Sequence, residues 1–159
     1  MIFSPQSRIW IYQSNRKFNL VEEAEILKKL EAFTQQWKAH GNELMAKAEI
    51  RYGYFIIITV DESQANVTGC SIDSSVRLIK EIEQSLQVDL FNRFNIAYKL
   101  DGEVHVQNKE DFETLINIKN ITPETIVFNN MVQNLEELET KWEVPFKNSW
   151  HSTVFAHLL

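Results

Sequence analysis

The stretch best suited to chemistry is Gly69-Cys70-Ser71-Ile72-Asp73-Ser74-Ser75, where the chain's only cysteine stands among hydroxyls and one carboxylate. It leads from a polar loop into a helical pattern. A helix starts with amides that no intrahelical carbonyl accepts, and its dipole is positive there, so this position attracts anions and favours a thiolate. Two uses follow. Cys70, Ser71, Asp73 and Ser75 can bind a small anionic ligand, or Cys70 can act as a nucleophile with His40, Asp73 or His151 as its partner. The plainer reading makes Ser71 or Asp73 the helix N-cap and Cys70 a small buried side chain. Asp73 would then set its own carboxylate on the amides. Burial and the acidic loop 61–66 would both raise the thiol's pKa. The expectation is an inert, structural thiol.

Arg8, Trp10 and Tyr12 form a second group. Arg8-Ile9-Trp10-Ile11-Tyr12 has strand composition, and alternation puts Ile9 and Ile11 on the opposite side. If the aliphatic side packs on helices, Arg8, Trp10 and Tyr12 line the other face as a ligand platform. Aromatic rows of this kind stack bases. A net charge of −6 repels polyanions, however, so nucleic acid is not the expected partner. A protein partner is expected instead. The segment from Trp142 to Phe155, or a second copy in a homodimer, should cover the aromatic face.

Other chemistries lack their reagents. Gly41, Gly53, Gly69 and Gly102 cannot compose a P-loop or a dinucleotide fingerprint. His40, His105, His151 and His157 show no paired metal-ligand spacing, so no metal and no cofactor is expected. The longest apolar run, Tyr54 to Val60, is far shorter than a membrane span, and the opening residues do not resemble a signal peptide. A cytoplasmic protein is expected.

The elements that must position these residues can be read from periodicity. After the strand at 8–13, Asn19 caps a helix over 20–38 with Ile26, Leu30, Phe33 and Trp37 on one face. Gly41 is its natural stop, and His40 can cap its C-terminal end. Strands at 45–52 and 54–61 form a hairpin about Gly53, a helix covers 74–86, and a strand covers 94–100. This βαββαβ order predicts a ferredoxin-like α+β sandwich, with the four strands in one antiparallel sheet and both helices on one face. The core is assigned to 1–93, its last strand running on to about residue 100. Residues 94–159 make a small extension packed on the core. Its Asp101-Gly102 hairpin leads to a helix after Asn108, a strand at Ile126-Val127-Phe128, and a helix from Asn134 to Trp142 that ends before Pro145.

Together, Arg8-Ile9-Trp10-Ile11-Tyr12-Gln13-Ser14, Trp37-Lys38-Ala39-His40-Gly41 and Gly69-Cys70-Ser71-Ile72-Asp73 resemble an uncharacterised bacterial family, common in Bacteroidetes, whose members are often labelled "ABC transporter ATPase". With no Walker motif here, the resemblance implies a family and a bacterial source, not an activity. Residues 97–143 are more weakly similar to GYF-like peptide-binding modules, through Tyr98-Lys99-Leu100-Asp101-Gly102, Phe112-Glu113-Thr114-Leu115-Ile116 and Ile121-Thr122-Pro123-Glu124-Thr125-Ile126-Val127. Those modules carry Gly-Pro after the hairpin, where Val106-Gln107 stands here. The resemblance implies a hairpin–helix–strand fold. The expected function is non-catalytic ligand binding or protein interaction, with a small cysteine-dependent enzyme as the alternative.

Overall fold

The computed structural model describes residues 2–159. The chain forms two compact units, one running to Phe91 and including Gln133–Glu136, the other made of Asn92–Val132 and Glu137–Leu159. It is a mixed α/β protein with antiparallel sheets, and among the described residues no helix is long and apolar enough to cross a membrane.

The first unit contains β1 (Arg8–Gln13), α1 (Leu20–Gln36), the short strands β2 (Lys38–Ala39) and β3 (Asn42–Glu43), β4 (Met45–Arg51), β5 (Phe55–Asp61) and α2 (Gly69–Leu86). Asn19 and Glu22 form the capping box that starts α1. Arg16 grips both Glu22 oxygens at 2.8 and 2.9 Å and donates to the Leu86 carbonyl at 2.8 Å, tying the start of α1 to the end of α2. The guanidinium, then the Asn19 amide, lower the Glu22 pKa to about 2. β4 turns into β5 through Tyr52 and Gly53, both at positive φ, with Lys17 packed so close to Gly53 that a Cβ there would lie 3.1 Å from it.

The sheet order is β1-β5-β4, all antiparallel. Every residue of the central strand β5 is buried. On one of its faces Ile56, Ile58 and Val60 join Tyr12 of β1, Ile26 and Leu30 of α1, and Ile79 and Ile82 of α2 in a single apolar cluster. Both helices therefore cover the same face, as expected from the order of the elements.

Three expectations need correction. The strand over 94–100 does not join this sheet. It becomes β6 (Ile96–Leu100) of the second unit, where β7 (Glu103–Gln107) takes one edge and β8 (Ile126–Phe128) the other. The two-residue turn Asp101-Gly102, both at positive φ, makes pairing with β7 local and entropically cheap. Beside β1, where the fourth strand was expected, the described residues supply a bridge from Arg8 to Asn134, with the Ile9 amide donating to the Gln133 carbonyl. Second, the sides of β1 are reversed. Trp10 and Tyr12 register with Ile58 and Ile56 and so face the helices, where Trp37 and Phe91 pack against them edge-on. Arg8 lies over the Trp10 ring. Neither face of the central strand is left open, because Phe55, Ile57 and Thr59 on the other side of β5 are fully buried. Third, α1 ends at Gln36, and His40-Gly41, both at positive φ, form the turn of the β2–β3 hairpin and not a helix stop.

The second unit adds α3 (Lys109–Asn117), α4 (Leu135–Lys141, entered from the returning segment), β9 (Glu143–Pro145) and α5 (His151–Val154), with sheet order β7-β6-β8-β9. The expected hairpin, helix and strand occur in that order. Asn108 caps α3 by accepting the Asp111 amide at 2.8 Å, and Pro145 sits on the edge strand, where its missing donor costs nothing. Phe112, Phe146 and Phe155 pack ring against ring at the centre, with Tyr98 beside Phe112.

His151 is also buried here, 3% exposed, stacked on Trp150 and with Nδ1 lacking a hydrogen-bond partner among the described residues. Burial lowers its pKa to about 4 from an ordinary 6.5. The unfolded chain thus takes up a proton at higher pH than the folded one. Stability from this group is complete above about pH 6.5, falls as pH drops, and is lost by about pH 4. The total is on the order of 3 kcal/mol. Urea midpoints measured between pH 7 and 4 should fall for the native protein and flatten in His151→Gln. Equal slopes in both proteins would show that another group sets the acid limit.

Candidate functional site

A concavity that holds reactive side chains lies at the start of α2. It is a cleft of about 440 Å³ lined by Lys38, His40, Thr68, Gly69, Cys70, Ser71 and Ser74. Residues about thirty apart in sequence meet there, and three local structures bring them together.

The first is the N-terminus of α2. Thr68 is the N-cap, not Ser71 or Asp73: its hydroxyl accepts the Ser71 amide at 3.2 Å, and the Ser71 hydroxyl accepts the Thr68 amide at 2.7 Å. This is a capping box with serine in place of the usual glutamate or glutamine. It starts the helix five residues before the expected 74 and puts Cys70 in the first turn. The Ile72 amide returns to the Thr68 carbonyl. The amides of Gly69 and Cys70 are then the two that the cap leaves without an acceptor among the described residues.

The second is the β2–β3 hairpin. Its tight turn lifts His40 to a loop tip and holds Lys38 opposite Glu43. The third is Trp37, buried between them. Its ring packs on Phe33 and Trp10, and its indole N–H donates to the Ser71 carbonyl at 2.9 Å. That bond fastens the root of the hairpin to the first turn of α2, so Lys38 and His40 stand beside the free amides.

The structure redistributes the predicted site residues. Cys70 is exposed, which corrects the expectation of a buried thiol: the early helix start turns it outward while Ser71 and Ser75 face inward. Ser71 lines the cleft, but its hydroxyl is committed to the cap. Ser75 is buried, donates to the Ile72 carbonyl at 2.6 Å and lies beside the Tyr12 hydroxyl, so it is no ligand donor. Burial raises the Tyr12 phenol, with Ser75 acting against it. Asp73 is exposed and does not line the cleft, so its carboxylate does not occupy the amides. Arg8, Trp10 and Tyr12 belong to the helix-facing side of the sheet and form no platform. His151 lies in the second unit and is not among the lining residues.

The acids before the helix are engaged elsewhere. Asp61 accepts the amides of Ser4 and Ser63, which lower its pKa, and Glu62 accepts the Val67 amide. Among the described residues the cleft is lined by two basic side chains and no carboxylate. No cluster of acids, histidines or cysteine suited to a metal occurs among them either. The chain matches no family model, no curated protein and no solved structure. The site therefore stands on its geometry alone. A more open hollow along α1, beside Leu20, Val21 and Ala24, has only Glu25 and Lys28 as polar lining.

Of the lining residues, Thr68 and Ser74 were given no part in the site by the sequence reading, and neither was Lys38. The signal for Lys38 was the pair His40-Gly41, which suits a hairpin turn as well as a helix stop. The cap itself can be tested. Thr68→Ala should cost about 1 kcal/mol in urea unfolding, and Thr68→Ser should cost almost nothing. Equal stability of Thr68→Ala and the native protein would show that the Thr68 hydroxyl does not hold the helix start.

Proposed function

We propose that the protein is a non-catalytic binding module that takes a small anion, the phosphate or carboxylate group of a ligand, in the cleft at the start of α2. One observation carries this reading: in a chain of net charge −6, this cleft is lined by Lys38 and His40 and by no carboxylate among the described residues. Two unclaimed amides at a helix N-terminus supply directed donors and a positive dipole end. The Ser74 hydroxyl, which donates to the Cys70 carbonyl at 3.0 Å, is half-exposed beside them. The chemistry suits one anionic group and not a polyanion, because the chain as a whole carries a net charge of −6.

Amide chemical shifts on titration with inorganic phosphate, sulfate and acetate test it. Saturable shifts centred on Gly69 and Cys70, weakened in Lys38→Ala and further in Lys38→Glu, are expected. Shifts that stay linear with concentration, or that ignore both substitutions, would remove the reading.

A second reading has its own observation: Cys70 is exposed in the same cleft as His40. A histidine close to a thiol can act as its base, the arrangement of a cysteine nucleophile. Alkylation by iodoacetamide separates the two readings. Binding alone predicts a free-thiol rate at pH 7 that His40→Ala leaves unchanged. The cysteine-dependent enzyme predicts a faster rate that His40→Ala abolishes.

A further inference from the structure

β4 is an outer strand of its sheet, and its main-chain ladder runs to β5 alone. From Met45 to Ile50, no hydrogen bond on its outer edge is made to any described residue. All seven residues of the strand are half-buried, so the edge is neither sealed nor fully solvated. An edge of this length is a template for another strand unless something blocks it, and a central lysine is a common block.

Here the charges along that strand alternate. Lys47, Glu49 and Arg51 share the face away from the helices, registering with Thr59, Ile57 and Phe55, while Ala46, Ala48 and Ile50 share the helix face. Lys47 already lies over the Phe3 ring, and Glu49 already pairs with Arg51 within the chain.

When two copies of one strand pair antiparallel about a two-fold axis perpendicular to the sheet, facing residues must lie on the same face. Centred on Ala48, the pairing sets Lys47 of each copy opposite Glu49 of the other, and Ala46 opposite Ile50. Centred on Lys47, that lysine meets itself. Centred on Glu49, the glutamate meets itself and Lys47 meets Arg51. Centred on Ile50, the strand runs into the turn at Tyr52 after a single residue on each side. The charge order thus favours one full-length register and opposes its neighbours, since opposite charges facing across strands attract and like charges repel.

We propose that a second copy of this chain docks on β4, antiparallel and centred on Ala48, to make a continuous six-stranded sheet. α1 packs over β4, so the pairing also brings the two α1 helices alongside each other on one face and adds contact beyond the strand ladder. This interface is separate from the cleft and stands whether or not the cleft binds an anion.

Sedimentation equilibrium on the full chain over a concentration series tests it, with circular dichroism as a check on folding. The native protein should dimerise, more weakly at high salt. Lys47→Glu and Glu49→Lys should each be monomeric, and the double exchange Lys47→Glu/Glu49→Lys should dimerise again. A native protein that is monomeric throughout overturns the proposal, as does a dimer that either single exchange leaves intact. So does a folded double variant that fails to re-form it. Amide hydrogen exchange of the native protein decides the matter if a variant does not fold. Protection at Met45–Ile50 should rise with protein concentration, and constant protection there overturns the proposal.

Discussion

Everything in the first unit answers to the burial of β5. A strand of seven residues with no exposed position must be covered on both faces and paired on both edges. The pairing is supplied by β1 and β4, and one face by Ile26, Leu30, Ile79 and Ile82 of the two helices. Once α1 and α2 must both lie on that face, their ends are brought together, and Arg16 joins them by holding Glu22 and the Leu86 carbonyl at once. The cleft arises from the same requirement. The end of α1 has to return to β4, the hairpin makes that return, and Trp37 at its root reaches the start of α2.

Where local chemistry decides structure, the sequence was legible. Asn19 and Asn108 cap the helices they were expected to cap, Asp101-Gly102 turns a hairpin, and Tyr54–Val60 lies within or beside a fully buried strand. The failures came where two local readings were equally good and a distant partner chose between them. His40-Gly41 fits a helix stop or a tight turn, and only the pairing of β2 with β3 selects the turn. Thr68, Ser71 and Asp73 can each cap a helix, and the reciprocal bonds between Thr68 and Ser71 select the first. On β1 the expected arrangement holds only if one sheet face is wet. Because both faces of β5 are buried, aliphatic and aromatic sides were equally fit for the helix-facing side, and the composition of β1 could not distinguish them.

The site was half legible for the same reason. Cys70 and Ser71 were found because they are neighbours at a helix start. Lys38 joins them only through a hairpin and a tryptophan hydrogen bond, and no spacing rule links residues that far apart. Cys70 is exposed because the helix capped by Thr68 already includes it, with Ser71 and Ser75 on the inward side. A small error in a boundary thus became a large error in environment.

The bridge between Arg8 and Asn134, with its flanking bonds from Leu135 to the Ser7 carbonyl and from Glu136 to the Pro5 carbonyl, has a consequence for how the chain is made. Synthesis runs from the N-terminus, so the strands and helices of the first unit leave the ribosome well before the segment that completes it. Until Gln133–Glu136 emerge, β1 presents a bare strand edge on the nascent chain, beside the other bare edge at β4. That interval, in which almost the whole of Asn92–Val132 must be translated, is when the protein is most exposed to wrong pairing between neighbouring nascent chains. A rare-codon pause placed inside it would lengthen the exposure without altering a single residue of the folded product.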